Sequence, residues 1–142
     1  MNFIDAIKSA FRNYLNFSGR ASRLEFWAFI IFALVAGNII TVLEGVIFHA
    51  GDLPEAGPLF AVGISIFLGP IASVFAALMI IPWVSVSTRR LHDIGRSGFW
   101  IYFGFIPPIG WLFMLIWLVR EGDAGDNVYG PAPEADTPTV AA

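Results

Sequence analysis

Cysteine is absent from the 142-residue chain and histidine occurs only twice. The first absence removes disulfides, thiolate metal sites and cysteine nucleophiles, and it leaves the redox compartment open. The second leaves little to hold a metal, because His49 and His92 are separated by a long uncharged stretch that should set them on opposite faces of a membrane. No metal and no cofactor is expected. Charge is scarce as well: 13% of residues are charged against 57% hydrophobic, far from the balance of a water-soluble domain. The chain also lacks an internal repeat and a second domain. One membrane domain over 1–131 is expected, with a tail at 132–142 too poor in apolar residues to fold alone.

The chain is rich in apolar length. The fold expected is an all-α integral membrane protein with three apolar helical segments at about 24–48, 59–88 and 97–119. Ser22 and Glu25 have the spacing of a capping box that opens the first segment. From Leu24 to Phe48 a helix rises about 37 Å, more than the ~30 Å of a hydrocarbon core. The second segment carries Pro70 and Pro82, either of which can kink it. The third contains Pro107, Pro108 and Gly110 at its centre, so it is either one broken span or two half-helices that re-enter on the same side; lipid tolerates such a break only where protein or water covers the backbone. Gly95 can end the second helix and Ser97 can cap the next one.

Before these segments, Phe3, Ile4, Ile7, Ala10, Phe11, Tyr14 and Leu15 recur at helical spacing opposite Asp5, Lys8, Ser9, Arg12 and Asn13. This is an amphipathic helix that either lies on the membrane surface or packs on the protein itself. Four basic residues precede the first segment, none lies in the acidic loop His49–Pro58, and three lie between the second and third. The positive-inside rule therefore sets the N-terminus in the cytoplasm, with the chain crossing its membrane more than once.

Several side chains are candidates for more than topology. Ala33, Gly37, Thr41 and Gly45 form a small-residue seam on the first segment, and Ala61, Ser65, Gly69, Ser73 and Ala77 form one on the second. Such seams permit close backbone approach in lipid, here to each other in antiparallel fashion or to a second copy. Asn38 and Glu44 are polar groups within the first segment; Asn38 serves as an interhelical hydrogen-bonding group or marks a transport path, and Glu44 reaches the outer headgroups. Arg20, Arg23, Arg89, Arg90 and Arg96 should share one cytoplasmic layer, as topology anchors or as a face for anionic lipid. Glu25 can complete its cap or pair with Arg89 or Arg90. His92 beside Asp93 can titrate near neutrality or share a proton, although no serine or second acid at usable spacing completes a catalytic set.

The run from Phe17 through Ser18, Gly19, Arg20, Ala21, Ser22, Arg23, Leu24, Glu25 and Phe26 to Trp27 resembles the family called domain of unknown function 805, the YhaH-like small bacterial inner-membrane proteins. Arg89, Arg90, Leu91, His92, Asp93, Ile94 and Gly95 are similar to a second element of that family, and Gly125, Asn127, Tyr129, Gly130 and Pro131 to a third. The resemblance implies a bacterial inner membrane and no particular reaction. If the third segment is re-entrant, the last element sits beside the arginines, where Asp126 or Tyr129 can bond to Arg20, Arg89 or Arg90, and Asn127 joins the same polar cluster.

The function expected is that of a non-enzymatic inner-membrane protein of undefined activity, whose cytoplasmic arginine-rich face engages anionic lipids or a protein partner, with homo-oligomer formation open. Nothing points to nucleic acid. A small transporter or channel subunit is the alternative, and a membrane enzyme using His92 and Asp93 the second.

Overall fold

A computed structural model describes residues 1–48 and 69–133. Its elements are α1 (Phe3–Arg12), α2 (Arg23–Phe48), α3 (Pro70–Asp93), a 3-10 helix η1 (Gly98–Phe105) and α4 (Ile109–Val119). The described chain is helical apart from one isolated bridge between Asn127 and Gly130. Among the described residues two helices, α2 and α3, are long and apolar enough to cross a membrane. The expected loop at His49–Pro58, the seam residues Ala61 and Ser65, the start of the second segment at 59 and the tail from 134 onward lie outside the described residues.

Local chemistry accounts for the helix ends. Asn2 caps α1 by accepting from the Asp5 N–H at 2.8 Å. Ser22 caps α2, its hydroxyl accepting from the Glu25 N–H at 3.1 Å. Pro70 does not kink a helix as expected; it is the first residue of α3, the position where a missing N–H costs nothing. The helix then runs unbroken through Pro82 and past the expected boundary at 88, to Asp93. It ends at the expected glycine: Gly95 has φ +69, its N–H donates to the His92 carbonyl and the Arg96 N–H to that of Leu91, the paired bonds of a Schellman motif. A Cβ on Gly95 would be strained by that φ and would meet Asp123 Oδ2 at 2.8 Å. Ser97 caps η1 through the Phe99 N–H.

The chain divides into two compact units, Met1–Phe29 with Pro82–Ala142, and Ile30–Ile81. In the first, α1 buries Ala6 and Ala10, and Phe11 meets Phe29 edge to face at 5.9 Å. The turn after α1 is fastened to α3 by Ser85, whose hydroxyl lies 2.7 Å from both the Asn13 and the Asn16 carbonyl oxygens. The third apolar segment is broken. η1 and α4 fold back on each other around a cis Pro107–Pro108 peptide, and Leu91, Ile94, Met114 and Trp117 make their common core. Trp117 packs on Trp100, Phe103 and Phe113. Both ends of the segment meet the end of α3: Ser97 comes just after it in the chain, and the Asp123 N–H donates to the Asp93 carbonyl at 2.8 Å.

In the second unit Glu44 is buried, and its carboxylate accepts from the Ile71 N–H at 2.9 Å and the Ala72 N–H at 3.0 Å. It caps α3 from another helix, rather than reaching the headgroups, and satisfies two of the amides that the helix start leaves open, Pro70 having no N–H. Gly69 permits this, since a Cβ there would overlap the Glu44 carboxylate. Along the first seam Gly37 is buried and Ala33, Thr41 and Gly45 are half-buried. On α3 the expected seam is inward at Gly69 alone of its described members. Ser73 and Ala77 are exposed, while Ala72 is buried and Ala76 half-buried, a shift of one position set where Glu44 grips the first turn.

Candidate functional site

Asp93, at the last residue of α3, has no exposure and is the hub of a charged cluster. Its Oδ1 accepts from Arg20 Nε at 2.8 Å and its Oδ2 from Arg90 Nη1. Two guanidinium groups on one carboxylate leave a surplus positive charge in a dry place, which would be costly alone. Backbone carbonyls supply the balance. Arg20 Nη1 donates to the Gly125 carbonyl at 2.5 Å and Nη2 to that of Asp123 at 2.6 Å. Arg90 Nε donates to the Leu118 carbonyl at 3.2 Å and Nη2 to that of Arg120. The last two belong to the end of α4, the negative pole of that helix.

Beside this hub, Glu25 and Arg89 form a second buried ion pair at 2.7 Å, and the Ala21 N–H donates to the Arg89 carbonyl at 3.0 Å. Of the two roles expected for Glu25, its carboxylate takes the pairing one; the cap is left to Ser22. Arg89 is 3% exposed, and its Nε has no hydrogen-bond partner, a condition shared by the Ser87 hydroxyl.

His92 and Asp93 do not act together. The His92 ring lies 3.1 Å from the Gly19 carbonyl through Nδ1, which requires a proton on that nitrogen, and it stacks on Tyr129 at 3.9 Å with planes 2° apart. Adjacent residues on a helix point about 100° apart, so the neighbouring carboxylate goes to the arginines instead. The last sequence element reaches the cluster through the Asn127 side chain, the Tyr129 ring and its own carbonyls. Asp126 is exposed. Asn127 Nδ2 donates to the His92 carbonyl at 2.9 Å, the Tyr129 N–H donates to Asn127 Oδ1 at 2.9 Å, and the tail's carbonyls hold Arg20.

All three elements singled out in the sequence thus meet at one end of the first unit. The family described as protein of unknown function (DUF805) matches residues 14–131 of this chain. The chain belongs to that family. It is 36% identical over 126 residues to the inner membrane protein YhaI of Escherichia coli K12, covering 89% of this chain and 92% of that one. It is 31% identical over 125 residues to the inner membrane protein YhaH of the same strain, covering 88% and 93%. No solved structure matches the chain. This DUF805 chain is an all-α membrane protein of undefined biochemical activity.

The remaining cations of the DUF805 chain differ in setting. Arg23 is partly exposed and pairs at 3.5 Å with the exposed Glu121. Arg96 lies over the Trp117 ring at 4.3 Å and the Trp100 ring at 5.7 Å, a cation–π clamp at the mouth of the hairpin. The five arginines therefore do not make a uniform solvent-facing layer: Arg20, Arg89 and Arg90 are interior and held by carboxylates and backbone carbonyls. Asn38 Nδ2 donates to the Leu34 carbonyl at 2.8 Å within its own helix. Ser85 and Glu44 carry structural bonds that sequence patterning does not assign to them. Ser85 has a signal in the polar break Ser85, Ser87, Thr88 near the end of an apolar run; the carbonyl acceptors of Arg20 have none beyond the glycines that expose them.

Chemically, Asp93 and Glu25 are both committed to guanidinium groups. The cluster is suited to hold chain segments together.

Proposed function

We propose that the chain is a non-enzymatic, multi-pass protein of the bacterial inner membrane, a single membrane domain over 1–131 with its N-terminus in the cytoplasm, that engages anionic lipid at its cytoplasmic surface. The surface is α1 together with Arg23, and not the interior arginines. The observation that carries it is the division of α1: Ala6 and Ala10 are buried against the protein, while Phe3 and Ile4 are exposed for the interface and Lys8 and Arg12 are exposed beside them. Each such cation near an anionic leaflet contributes about 1 kcal/mol. Two relatives named as inner membrane proteins support the location. The enzyme reading is weakened by the separate engagements of His92 and Asp93.

The test is retention of phosphatidylglycerol after purification in mild detergent. The triple variant Lys8→Gln, Arg12→Gln, Arg23→Gln should retain severalfold less than the native chain while keeping its helicity. Equal retention would exclude this surface. For orientation, single-sided reporters fused before Met1 and after Pro131 should both report the cytoplasm, since the hairpin returns the chain to the end of α3; opposite sides would overturn the topology.

A further inference from the structure

Between Arg96 and Arg120 the chain carries no charge, and both helices of the hairpin are short. η1 has eight residues and α4 eleven, so each rises about 16 Å, half of the ~30 Å hydrocarbon core that a span must cross. Neither hides its apolar surface within the fold. Phe99, Tyr102 and Phe105 on η1 and Trp111, Leu112 and Ile116 on α4 are all exposed, Phe105 at 79%. A helix of a water-soluble domain turns charged and polar residues outward, whereas here the outward faces are apolar. Surface of this extent marks a contact with lipid or with protein.

The direction of the hairpin and its backbone decide for lipid. η1 runs back along the last turns of α3: a Cβ on Gly98 would overlap the Thr88 methyl, and Ile101 and Tyr102 share a groove with Val84, one turn further from the arginines. The hairpin thus leaves the arginine end of α3 and heads back beside a helix apolar enough to span. Charge stays at its base, where Arg96 lies over Trp100 and Trp117. At the tip, where hydrocarbon penalises open amides, the backbone closes on itself. The Ile106 N–H donates to the Phe103 carbonyl at 3.1 Å, that of Gly110 to Ile106 at 2.6 Å and that of Leu112 to Pro108 at 3.1 Å, while Pro107 and Pro108 have no N–H. Trp111 gives its indole N–H to the Gly104 carbonyl at 2.8 Å, so this ring needs no interfacial water. Apolar exposure continues over both helices and the tip, a surface that fluid acyl chains can follow and one flat partner cannot.

We propose that the η1–α4 hairpin is a one-leaflet wedge, its outer faces covered by acyl chains of the cytoplasmic leaflet and its tip at 105–109 near the bilayer midplane. This part of the chain then displaces lipid from one leaflet only. The wedge rests on the cytoplasmic orientation proposed above, and it uses none of Lys8, Arg12 or Arg23, so the lipid-retention test does not bear on it.

The chain has no cysteine, so a single nitroxide label can be placed by Phe105→Cys at the tip, Phe99→Cys at the base or Val128→Cys in the C-terminal turn, all exposed positions. The labelled full chain is reconstituted in vesicles of phosphatidylethanolamine and phosphatidylglycerol, and collisions with oxygen and with a polar nickel chelate are compared. Hydrocarbon concentrates oxygen and excludes polar solutes, so the oxygen-to-nickel ratio should be roughly tenfold higher at Phe105→Cys than at Val128→Cys, with Phe99→Cys between. A tip label as open to nickel as the one at Val128→Cys would put the hairpin in water and overturn the wedge. A tip label shielded from both reagents would overturn it in favour of a protein contact. If Phe105→Cys does not fold, Ile109→Cys, also exposed, takes its place. The two failures read differently: reporters before Met1 and after Pro131 on opposite sides would overturn the orientation and the wedge with it, whereas both in the cytoplasm with a wet or shielded tip would overturn the wedge alone.

Discussion

Replacing Asp93 with asparagine keeps the shape of the side chain and removes its charge. Two interior cations, Arg20 and Arg90, then lose the carboxylate they share, and the asparagine amide directs two donors at one or other guanidinium. Breaking a buried pair by removing one partner costs about 3–5 kcal/mol, because the charge left behind stays desolvated. Here two charges are left behind, while the carbonyls of Asp123, Gly125, Leu118 and Arg120 still solvate them in part, so about 4 kcal/mol is the expected loss. Reversible unfolding in mixed micelles, monitored by tryptophan fluorescence and helicity, measures it. Trp100 and Trp117 sit in the hairpin that Arg90 ties to α3, so the fluorescence change should precede much of the helix loss. The internal control is Glu121→Gln, which removes an exposed pair with Arg23 and should change stability by less than about 0.5 kcal/mol. If Asp93→Asn unfolds like the native chain, the cluster does not hold the hairpin and the reasoning fails.

The same geometry sets two further outcomes. Glu44→Gln presents one acceptor oxygen in place of two to the Ile71 and Ala72 amides and should cost about 1 kcal/mol, and Gly69→Ala, which drives the carboxylate away, should cost at least as much; the same micelle unfolding checks both, and no effect of either would mean the cap contributes nothing. Tyr129→Phe should keep the stack on His92 and the native stability, whereas Tyr129→Ala should lose about 1 kcal/mol and make the chain between Arg120 and Pro131 susceptible to limited proteolysis; equal protease sensitivity of the two variants would remove the stack from the account.

Much of the architecture was legible because it depends on one-dimensional properties. Uncharged length marks α2, the Ser22 cap starts it, and Gly95 with its positive φ ends α3. The proline pair at 107–108 marked the third segment as broken. The illegible part depends on who faces whom. The small-residue spacing on α3 is present whichever way the helix rotates, and only the Glu44 contact to its first turn turns Ala72 inward and Ser73 outward. Likewise, Asp93 adjoins His92 in sequence, yet helical geometry sends it to Arg20, which is 73 positions away.

The arginines state the division most clearly. Their number, their place at helix ends and their clustering on one side are set by the residues alone, since charge at those positions is dictated by the expense of carrying it through hydrocarbon. Whether a given guanidinium meets water, lipid, a carboxylate or a carbonyl depends on the path of the hairpin and tail that fold over it. Backbone carbonyls look alike in every residue, so the oxygens that hold Arg20 and Arg90 became visible only when the chain was closed in three dimensions.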